Sequence, residues 1–486
     1  MLFNSYIFVL LFLPLCILGY FGLNGLGRYK LAQVYLLGMS FWFYGYASPQ
    51  YLLVILASIA ANFSFYCALN RFSLTNNVKV RKFILGTALL FNIGVLFYFK
   101  YTDFFIDTVN GLFRTSYNTL NIVLPLGISF FTFQQISFIV DTYRGEVPKY
   151  SFLHYASFVA FFPQLVAGPI VSHNELVPQF MDKEKKRIDW DYMATGICLF
   201  TYGLAKKVLL ADTFGNAAAI GFSNISELNT TNAMISMLAY TMQIYFDFSG
   251  YCDMAVGIGR MLHIDLPINF NSPYKALDIN EFWDRWHMTL TRFFTKYIYI
   301  PLGGSRKGTA RTYLNIFIVF FLSGFWHGAG WNFIFWGVFH GIFCIITRHF
   351  KTYVDKIPAV IRWCVTFGFI NVAWVFFSAN TLRSGLSFIK KLLLFDFGAI
   401  DKKILECFRL PETAVLRNMV PGDGLSYFVM AAVCVLAFIL ILGTRNAYEK
   451  MQSYKPTFSN LCTTTVLLVW CIFSFAGVSA FLYFNF

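Results

Sequence analysis

Residues 320–337 read FFLSGFWHGAGWNFIFWG, and His327 is the one ionisable residue in that stretch. An ionisable side chain inside a membrane segment is costly, so its presence usually indicates a function. The alternative is a packed histidine bonded to a carbonyl, where Gly324, Gly328 and Gly330 let two helices approach closely. A neutral imidazole in a dry site can accept a proton from a hydroxyl. The stretch therefore predicts a membrane helix that carries a general base at His327.

Most of the chain is as apolar as this stretch. Of its 486 residues, 57% are hydrophobic and 13% are charged, and the mean hydropathy is +0.59. About a quarter of the residues of a soluble domain are charged, and about 20 apolar residues cross a bilayer. The composition predicts an all-α polytopic membrane protein with about a dozen hydrophobic segments. The candidate spans are 5–24, 30–46, 51–69, 83–99, 119–140, 152–171, 193–212, 232–259, 312–350 (as two helices), 358–379, 425–443 and 461–484.

The net charge and the spacing of the cysteines and histidines indicate which partners and sites to expect. The formal net charge is +14. In a membrane protein such an excess comes from Lys and Arg in cytoplasmic loops, so we expect no nucleic-acid partner. The ten cysteines are scattered without a CxxC pair and the histidines show no HxxxH spacing, so we expect buried thiols and no metal site. No linker or repeat divides the chain, which predicts one membrane domain over residues 1–486.

Charged residues are concentrated between positions 241 and 311, where Pro267, Pro273 and Pro301 prevent one straight helix. Charged, irregular chain between membrane spans is tolerated only where it lines a cavity or is covered by protein. We therefore expect the functional centre in this region and in the span that follows it.

Within that region, residues 278–297 (DINEFWDRWHMTLTRFFTKY) have the pattern of an amphipathic helix. Asp278 is a suitable N-cap, and Glu281 completes a capping-box pattern and forms an i, i+4 pair with Arg285. On such a helix His287 faces the apolar side. That placement fits either a histidine in a cavity or a histidine on a helix that lies on the membrane surface.

The charged residues of YFDFSGYCDMAVGIGR (245–260) lie in an apolar helical pattern. Asp247 and Asp253 are six residues apart and point to different faces, which argues against a paired acid and base. Asp253 and Arg260 share a face and could pair across two turns. We expect these residues to have a structural role, as internal ion pairs that shape a cavity.

PLGGSRKG (301–308) is a Gly-rich basic turn that has neither a Walker nor a dinucleotide-binding pattern. It is typical of a cytoplasmic loop with excess positive charge. A donor with a nucleotide or a phosphopantetheine arm would also need cations nearby, and Ser305, Arg306 and Lys307 are the candidates for that contact.

Several long strings of this sequence resemble the membrane-bound O-acyltransferase (MBOAT) family. They are FFPQLVAGPI (161–170), YFDFSGYCDMAVGIG (245–259), NFNSPYKALDINEFWDRWHMTLTRFF (269–294), YIPLGGSR (299–306) and SGFWHGAGWNFIFWG (323–337). Within the family they are similar to the bacterial branch of the alginate O-acetyltransferase AlgI and the membrane component of peptidoglycan O-acetyltransferase. The resemblance places the catalytic core at about 120–350 and C-terminal helices at 358–486.

The resemblance implies a fold in which transmembrane helices form a ring around a central tunnel, with re-entrant and amphipathic helices. It implies that His327 is the catalytic histidine and that His287 is a second polar residue of the site. The imidazole of His327 would then face a tunnel instead of lipid.

The resemblance changes the interpretation of the last residues, FLYFNF (481–486). On its own, Tyr483 is typical of an aromatic belt at the membrane surface. Through Phe481, Tyr483 and Phe486 the segment is also similar to an FxYxxF pattern of the same branch. That similarity implies a possible acyl carrier at Tyr483, which would need a nearby base because a free tyrosine has a pKa near 10.

The function implied is O-acyl transfer, of acetyl groups, from acetyl-CoA or an acyl-carrier-protein thioester to an extracytoplasmic polysaccharide, with no tightly bound cofactor. The expected partners are an SGNH-type O-acetyltransferase or similar acceptor protein and the lipids of the bacterial cytoplasmic (inner) membrane. His327 would take the proton of the attacking hydroxyl, and His287 would orient or polarise the thioester. Two alternatives stay open: a D-alanyl transferase of teichoic acid, and a polytopic transporter or flippase, which would also place charges and broken helices at mid-membrane.

Overall fold

The computed structural model describes residues 1–46, 48–74, 77–410, 423–475 and 481–482. Within these ranges the chain is helical, and the extended pairing consists of one isolated antiparallel bridge between Phe270 and Trp286. The prediction of an all-α protein is confirmed.

Six helices are long and apolar enough to cross a membrane, and the protein is a multi-pass membrane protein. All six coincide with predicted spans, and the predicted pair within 312–350 is also present as two helices. The six are Phe8–Gly25, Pro49–Ser73, Val78–Phe113, Trp190–Ser223, Ala359–Ser378 and Gly424–Gly443.

Several predicted spans have different bounds in the structure. The predicted span 83–99 lies within the longer helix Val78–Phe113, and the helix of the predicted span 461–484 is Phe458–Phe473. The predicted spans 119–140 and 152–171 are not continuous helices. Residues 119–127 are not helical, and the helix begins at Ile128, after Gly127 adopts a φ of 71°. In the predicted span 152–171 the helix ends at Ala160. A four-residue helix, Phe162–Leu165, follows it and has Pro163 in its first turn. Proline fits a first turn but not a helix interior, so one continuous span does not form there.

The chain divides into two compact units, residues 1–200 with 252–268, and residues 201–251 with 269–486. The helices Trp190–Ala205 and Thr230–Met261 contribute residues to both units. The remaining helices of the first unit are Phe8–Phe12, Leu13–Gly25, Tyr29–Gly45, Pro49–Leu74, Val78–Phe113, Ile128–Arg144, Phe152–Ala160, Phe162–Leu165, His173–Met181 and Glu184–Lys186.

The second unit contains the described residues of the candidate site. Its other helices are Lys206–Ala211, Asp212–Ser223, Ile225–Glu227, Pro273–Lys275, Ile279–Arg285, Met288–Phe294, Thr295–Tyr299, Thr309–His327, Trp331–His349, Lys351–Val354, Ala359–Ser378, Leu382–Leu393, Lys402–Glu406, Gly424–Phe438, Ile439–Gly443, Ala447–Gln452 and Phe458–Phe473. Several of them are too short to cross a bilayer, so much of this unit is built from broken helices.

Two glycines hold Thr309–His327 against Trp331–His349, and we call this pair of helices the histidine hairpin. A methyl group added to Gly324 or Gly337 would overlap a carbonyl oxygen of the facing helix. Backbone therefore touches backbone, which is the close approach that small residues permit between membrane helices. The contact fixes the end of the first helix, where His327 lies.

Candidate functional site

His327 is the last residue of the first hairpin helix, and it is 3% exposed. Three aromatic rings surround its imidazole, with ring centroids 4.9 Å away for Trp326, 5.1 Å for Trp336 and 5.3 Å for Phe377. Asn332 of the second hairpin helix donates to two carbonyls at the end of the helix that carries Phe377. The hairpin thus holds the imidazole in an apolar pocket with fixed walls.

The predicted amphipathic helix over 278–297 is broken at His287. Two short helices, Ile279–Arg285 and Met288–Phe294, flank this residue, so the prediction of a continuous helix is wrong. Its predicted start is confirmed, because the Asp278 carboxylate accepts hydrogen bonds from two backbone amides of the first turn.

The break has its cause in the chain that precedes the helix. The backbone amide of Asn271 donates to the backbone carbonyl of Arg285 at 2.9 Å. The backbone amide of Met288 donates to the backbone carbonyl of Asn269 at 3.0 Å. These bonds replace helical ones and leave His287 in the left-handed region, at φ 47° and ψ 48°. Residues other than glycine adopt that region at a cost, and such strain is concentrated at functional sites.

A hydrogen bond to Asn269 determines which nitrogen of His287 carries the proton. The side-chain Oδ1 of Asn269 accepts from the backbone amide of Thr289 at 3.2 Å and lies 3.1 Å from His287 Nδ1. An amide N–H can only donate, so the Asn269 atom at this point is the oxygen, and His287 Nδ1 must donate to it. The lone pair of the neutral ring is then on Nε2.

Burial keeps the His287 ring neutral. The side chain is fully buried, and the loss of hydration lowers the pKa of His287 to about 3. Phe248 packs edge-on against the ring at 4.8 Å. At physiological pH His287 is therefore a neutral acceptor with a defined tautomer.

The structure brings the two predicted histidines together. The ring centroids of His287 and His327 are 6.4 Å apart, with an angle of 60° between the ring planes. They come from separate elements, 40 positions apart in the sequence. Two imidazoles at this distance can share one reacting hydroxyl group between them.

A third buried histidine, His340, is part of the same aromatic cluster. Its Nδ1 accepts a hydrogen bond from Trp283 Nε1 at 3.3 Å, and its ring centroid lies 4.8 Å from that of Trp336. Trp336 also contacts His327. From the sequence, His340 is interpreted as a packing residue, and its tryptophan partner lies 57 residues away.

The predicted donor-contact residues lie in the exposed turn over 301–308. Ser305 lines a cavity of about 270 Å³ together with Trp283, Asp284, Tyr299 and Arg348 among other residues. Arg306 and Lys307 are exposed and are not among the residues that line this cavity. Of these three neighbouring residues, Ser305 is the one that lines the cavity.

A second, more apolar cavity of about 800 Å³ lies between helices of the second unit, and Lys206, Arg445 and Lys450 are its charged lining residues. Neither cavity is lined by His287 or His327. The His327 ring itself is 3% exposed, and the passage that the resemblance implies stays a prediction.

Tyr483, the third predicted site residue, lies outside the described residues. The two residues before it are described and are fixed to the protein. The Phe481 ring lies 4.8 Å from that of Tyr251, and the Leu482 amide donates to the Asp247 carboxylate at 2.8 Å. The C-terminal segment is therefore anchored up to the peptide bond that leads to Tyr483.

The predicted ion pairs are partly confirmed. Glu281 pairs with Arg285 at 2.9 Å, as predicted. The predicted pair of Asp253 with Arg260 is wrong, because Arg260 pairs with Asp265 at 3.3 Å. Asp265 follows the end of that helix, where the chain reverses direction, which helical spacing cannot anticipate.

Lys207, which no sequence pattern singled out, contacts Asp247 at 2.7 Å. The two lie in different helices, 40 residues apart, so no spacing rule connects them. A signal was present nonetheless, since each is a charged residue inside an apolar segment, and buried charges require opposite charges nearby.

Comparison with known proteins gives a consistent set of relatives. The membrane-bound O-acyltransferase (MBOAT) family matches residues 146–388. A peptidoglycan O-acetyltransferase of Helicobacter pylori is 39% identical, over 100% of this chain and 98% of its own length. A probable alginate O-acetylase, AlgI, of Pseudomonas aeruginosa is 38% identical over 82% of this chain and 75% of its own length. A teichoic acid D-alanyltransferase of Bacillus subtilis is 27% identical over 54% of this chain and 70% of its own length.

Proposed function

Because this chain belongs to the membrane-bound O-acyltransferase family, we propose that it transfers acetyl groups from a cytoplasmic thioester donor to a polysaccharide outside the bacterial cytoplasmic membrane. The chain is an O-acyltransferase. Acetyl as the group and a polysaccharide as the acceptor are supported by the relatives named for peptidoglycan and alginate. The observation that carries the proposal for the site is the pair of buried imidazoles, His287 and His327, at 6.4 Å.

In this proposal His327 is the general base of the transfer. The ring takes the proton of the attacking hydroxyl while the hydroxyl oxygen bonds to the carbonyl carbon of the thioester. The carbon–sulfur bond then breaks, and the leaving thiolate receives the proton from the imidazolium. The aromatic walls around His327 exclude water, which would otherwise hydrolyse the thioester.

His287 has an orienting role. To polarise a thioester carbonyl the ring would have to donate an N–H, but its Nδ1–H is directed to Asn269 and the ring is neutral. Its Nε2 lone pair can accept a hydrogen bond from the attacking hydroxyl, or from His327 once that ring is protonated. The geometry therefore favours orientation over polarisation.

Tyr483 is the proposed first acceptor of the acetyl group. Its oxygen would attack the thioester and hold the acetyl group as an ester until a hydroxyl of an SGNH-type partner protein, or of the polysaccharide, attacks that ester. The relay divides one transfer into two, and each step returns its proton to the leaving group. The anchored residues Phe481 and Leu482 support this role, because they fix the chain immediately before the tyrosine.

The proposed donor is acetyl-CoA or an acyl-carrier-protein thioester, and no tightly bound cofactor is part of the proposal. The exposed turn with Arg306 and Lys307 supplies cations for its phosphates, and Ser305 lines the adjacent cavity. These contacts serve binding, since they are distinct from the residues around His327.

A second candidate, D-alanyl transfer, rests on the relative from Bacillus subtilis. One experiment separates the two. Purified protein in liposomes is given either a labelled acetyl thioester or a labelled D-alanyl carrier-protein thioester, and label on the protein is measured. We expect acetyl label on the wild type and none on Tyr483→Phe; full labelling of that variant would rule out the tyrosine ester, and labelling only by D-alanyl would establish the second candidate.

A further inference from the structure

The second unit contains a buried charge cluster that the proposed reaction does not use. The Lys207 ammonium lies 2.7 Å from Asp247 and 2.8 Å from Asp212, and its side chain is 2% exposed. Buried charges are expensive unless they are paired and hydrogen-bonded. Such a cluster can fix the position of neighbouring chain.

The cluster holds the C-terminal segment at two consecutive residues. The Asp247 Oδ2 atom accepts the backbone N–H of Leu482 at 2.8 Å, and the Lys207 ammonium lies 4.8 Å from the Phe481 ring centroid. The Phe481 side chain is 1% exposed, with Tyr251 edge-on at 4.8 Å. We call Lys207, Asp247, Phe481 and Leu482 the C-terminal anchor.

One residue of the anchor, Asp247, is next in sequence to a residue that contacts His287. Asp247 is followed by Phe248, whose ring packs against His287 at 4.8 Å. Consecutive α-carbons are about 3.8 Å apart, so the helix that carries both residues connects the anchor directly to the site. On the other side of the contact, Tyr483 is joined to Leu482 by one peptide bond.

From these contacts we propose that Asp247 is a positioning residue that presents the C-terminal segment to the histidine pair. The inference rests on the proposed function, because the position of this segment matters only if Tyr483 accepts the acetyl group. Asp247 suits this task because each of its two oxygens accepts from a different donor, Oδ1 from Lys207 and Oδ2 from Leu482. In an asparagine one of these two oxygens becomes an NH2 group, which donates, so the side chain cannot accept from Lys207 at one position and from Leu482 at the other.

The direct test is hydrogen exchange at the Leu482 amide in the purified full-length protein in lipid nanodiscs, together with acetyl transfer. In Asp247→Asn the single amide oxygen is taken by charged Lys207, and we expect Leu482 to exchange about tenfold faster or more. Acetyl transfer should fall by about tenfold as well. Unchanged exchange at Leu482 would overturn the proposal, and so would faster exchange with full activity.

The matched control is Asp212→Asn. It removes a carboxylate from the same lysine at 2.8 Å, whereas the Leu482 amide donates to Asp247. We expect exchange at Leu482 and acetyl transfer to stay within about threefold of the wild type, since a neighbour of Lys207 is lost without loss of the segment's bond. Equal effects in the two variants would indicate general loosening and would contradict a positioning role for Asp247.

A second pair of variants tests the same bond from the segment's side and leaves the buried charges intact. Leu482→Pro removes the N–H that Asp247 accepts, and Leu482→Ala keeps it. We expect the proline variant to lose acetyl transfer and the alanine variant to retain most of it; equal rates would refute the anchor. Tyr483→Phe separates the tyrosine relay from the anchoring role of Asp247. If Tyr483→Phe is active, the relay is ruled out, but the effect of Asp247→Asn on hydrogen exchange at Leu482 still tests the anchoring role.

Discussion

The histidine pair and the charged residues of the C-terminal anchor, Lys207 and Asp247, are all buried, but their polar groups are satisfied in different ways. His287 is neutral, and one contact with Asn269 fixes its tautomer. Lys207 is held by two carboxylates, and the nearer one also binds a backbone amide. A neutral imidazole can accept a proton, whereas an ammonium group held by two carboxylates is suited to fixing the position of neighbouring chain. The difference separates the groups that we assign to chemistry from those that position the chain.

If the histidine pair performs the chemistry, substitution of His327 should have the largest effect on the rate of acetyl transfer. His327→Gln keeps a polar side chain but removes the base, and we expect acetyl transfer to fall by about 10²- to 10⁴-fold, the usual contribution of general acid–base catalysis. The measurement is the initial rate with labelled donor in liposomes. The control is His340→Gln, which removes a buried imidazole from the same hairpin and should cost less than about tenfold. Equal losses would mean that both histidines serve packing.

Substitution of a charged residue in the C-terminal anchor should instead have its largest effect on the free energy of unfolding. Lys207→Met leaves Asp247 and Asp212 without their shared cation, and breaking a buried pair costs about 3–5 kcal/mol. Thermal unfolding in detergent should show this loss, while His327→Gln should unfold close to the wild type. A Lys207→Met protein as stable as the wild type would show that the anchor is not a buried pair in the membrane.

A pH profile distinguishes the tautomer assigned to His287. The wild-type pKa is about 3, so its ring stays neutral at any pH well above that value. In Asn269→Asp a carboxylate faces the ring and raises its pKa, since a negative charge favours the imidazolium. The Nε2 lone pair is lost on protonation, so activity of this variant should fall as pH decreases, at a higher pH than in the wild type. Superimposable profiles would contradict the role of that lone pair.

The smallest effect is expected at the exposed turn. Arg306→Gln with Lys307→Gln removes two solvent-exposed cations, whose pairing with phosphate is worth at most about 1 kcal/mol each. We expect KM for the thioester donor to rise several-fold with kcat nearly unchanged. A fall in kcat at constant KM would place these residues in the reaction instead of in donor binding.

The sequence predicts the membrane helices of this protein well, because hydropathy and length are properties of each segment alone. It also predicts His327 as a functional residue, since an ionisable side chain in an apolar stretch is unusual. The two segments of the histidine hairpin, and the N-cap at Asp278, are local features that follow from the same kind of reasoning.

The remaining features depend on contacts between segments far apart in the chain. The helix break at His287 follows from backbone bonds to residues 269 and 271, and the partner of Asp247 lies 40 residues earlier. Arg260 forms its ion pair with Asp265, which lies beyond the end of the helix, and not with Asp253, which lies within it. Helical periodicity describes one element at a time, so it cannot anticipate which elements meet.

The central claim is that His287 and His327 act on one reacting group, and a kinetic double-mutant cycle tests it most directly. Acetyl transfer is measured for His287→Gln, His327→Gln and the double variant under the same conditions. Residues that act as a unit are strongly non-additive, so the double variant should be no slower than His327→Gln, within about threefold. Losses that multiply would show that the two imidazoles work independently and would contradict a shared site.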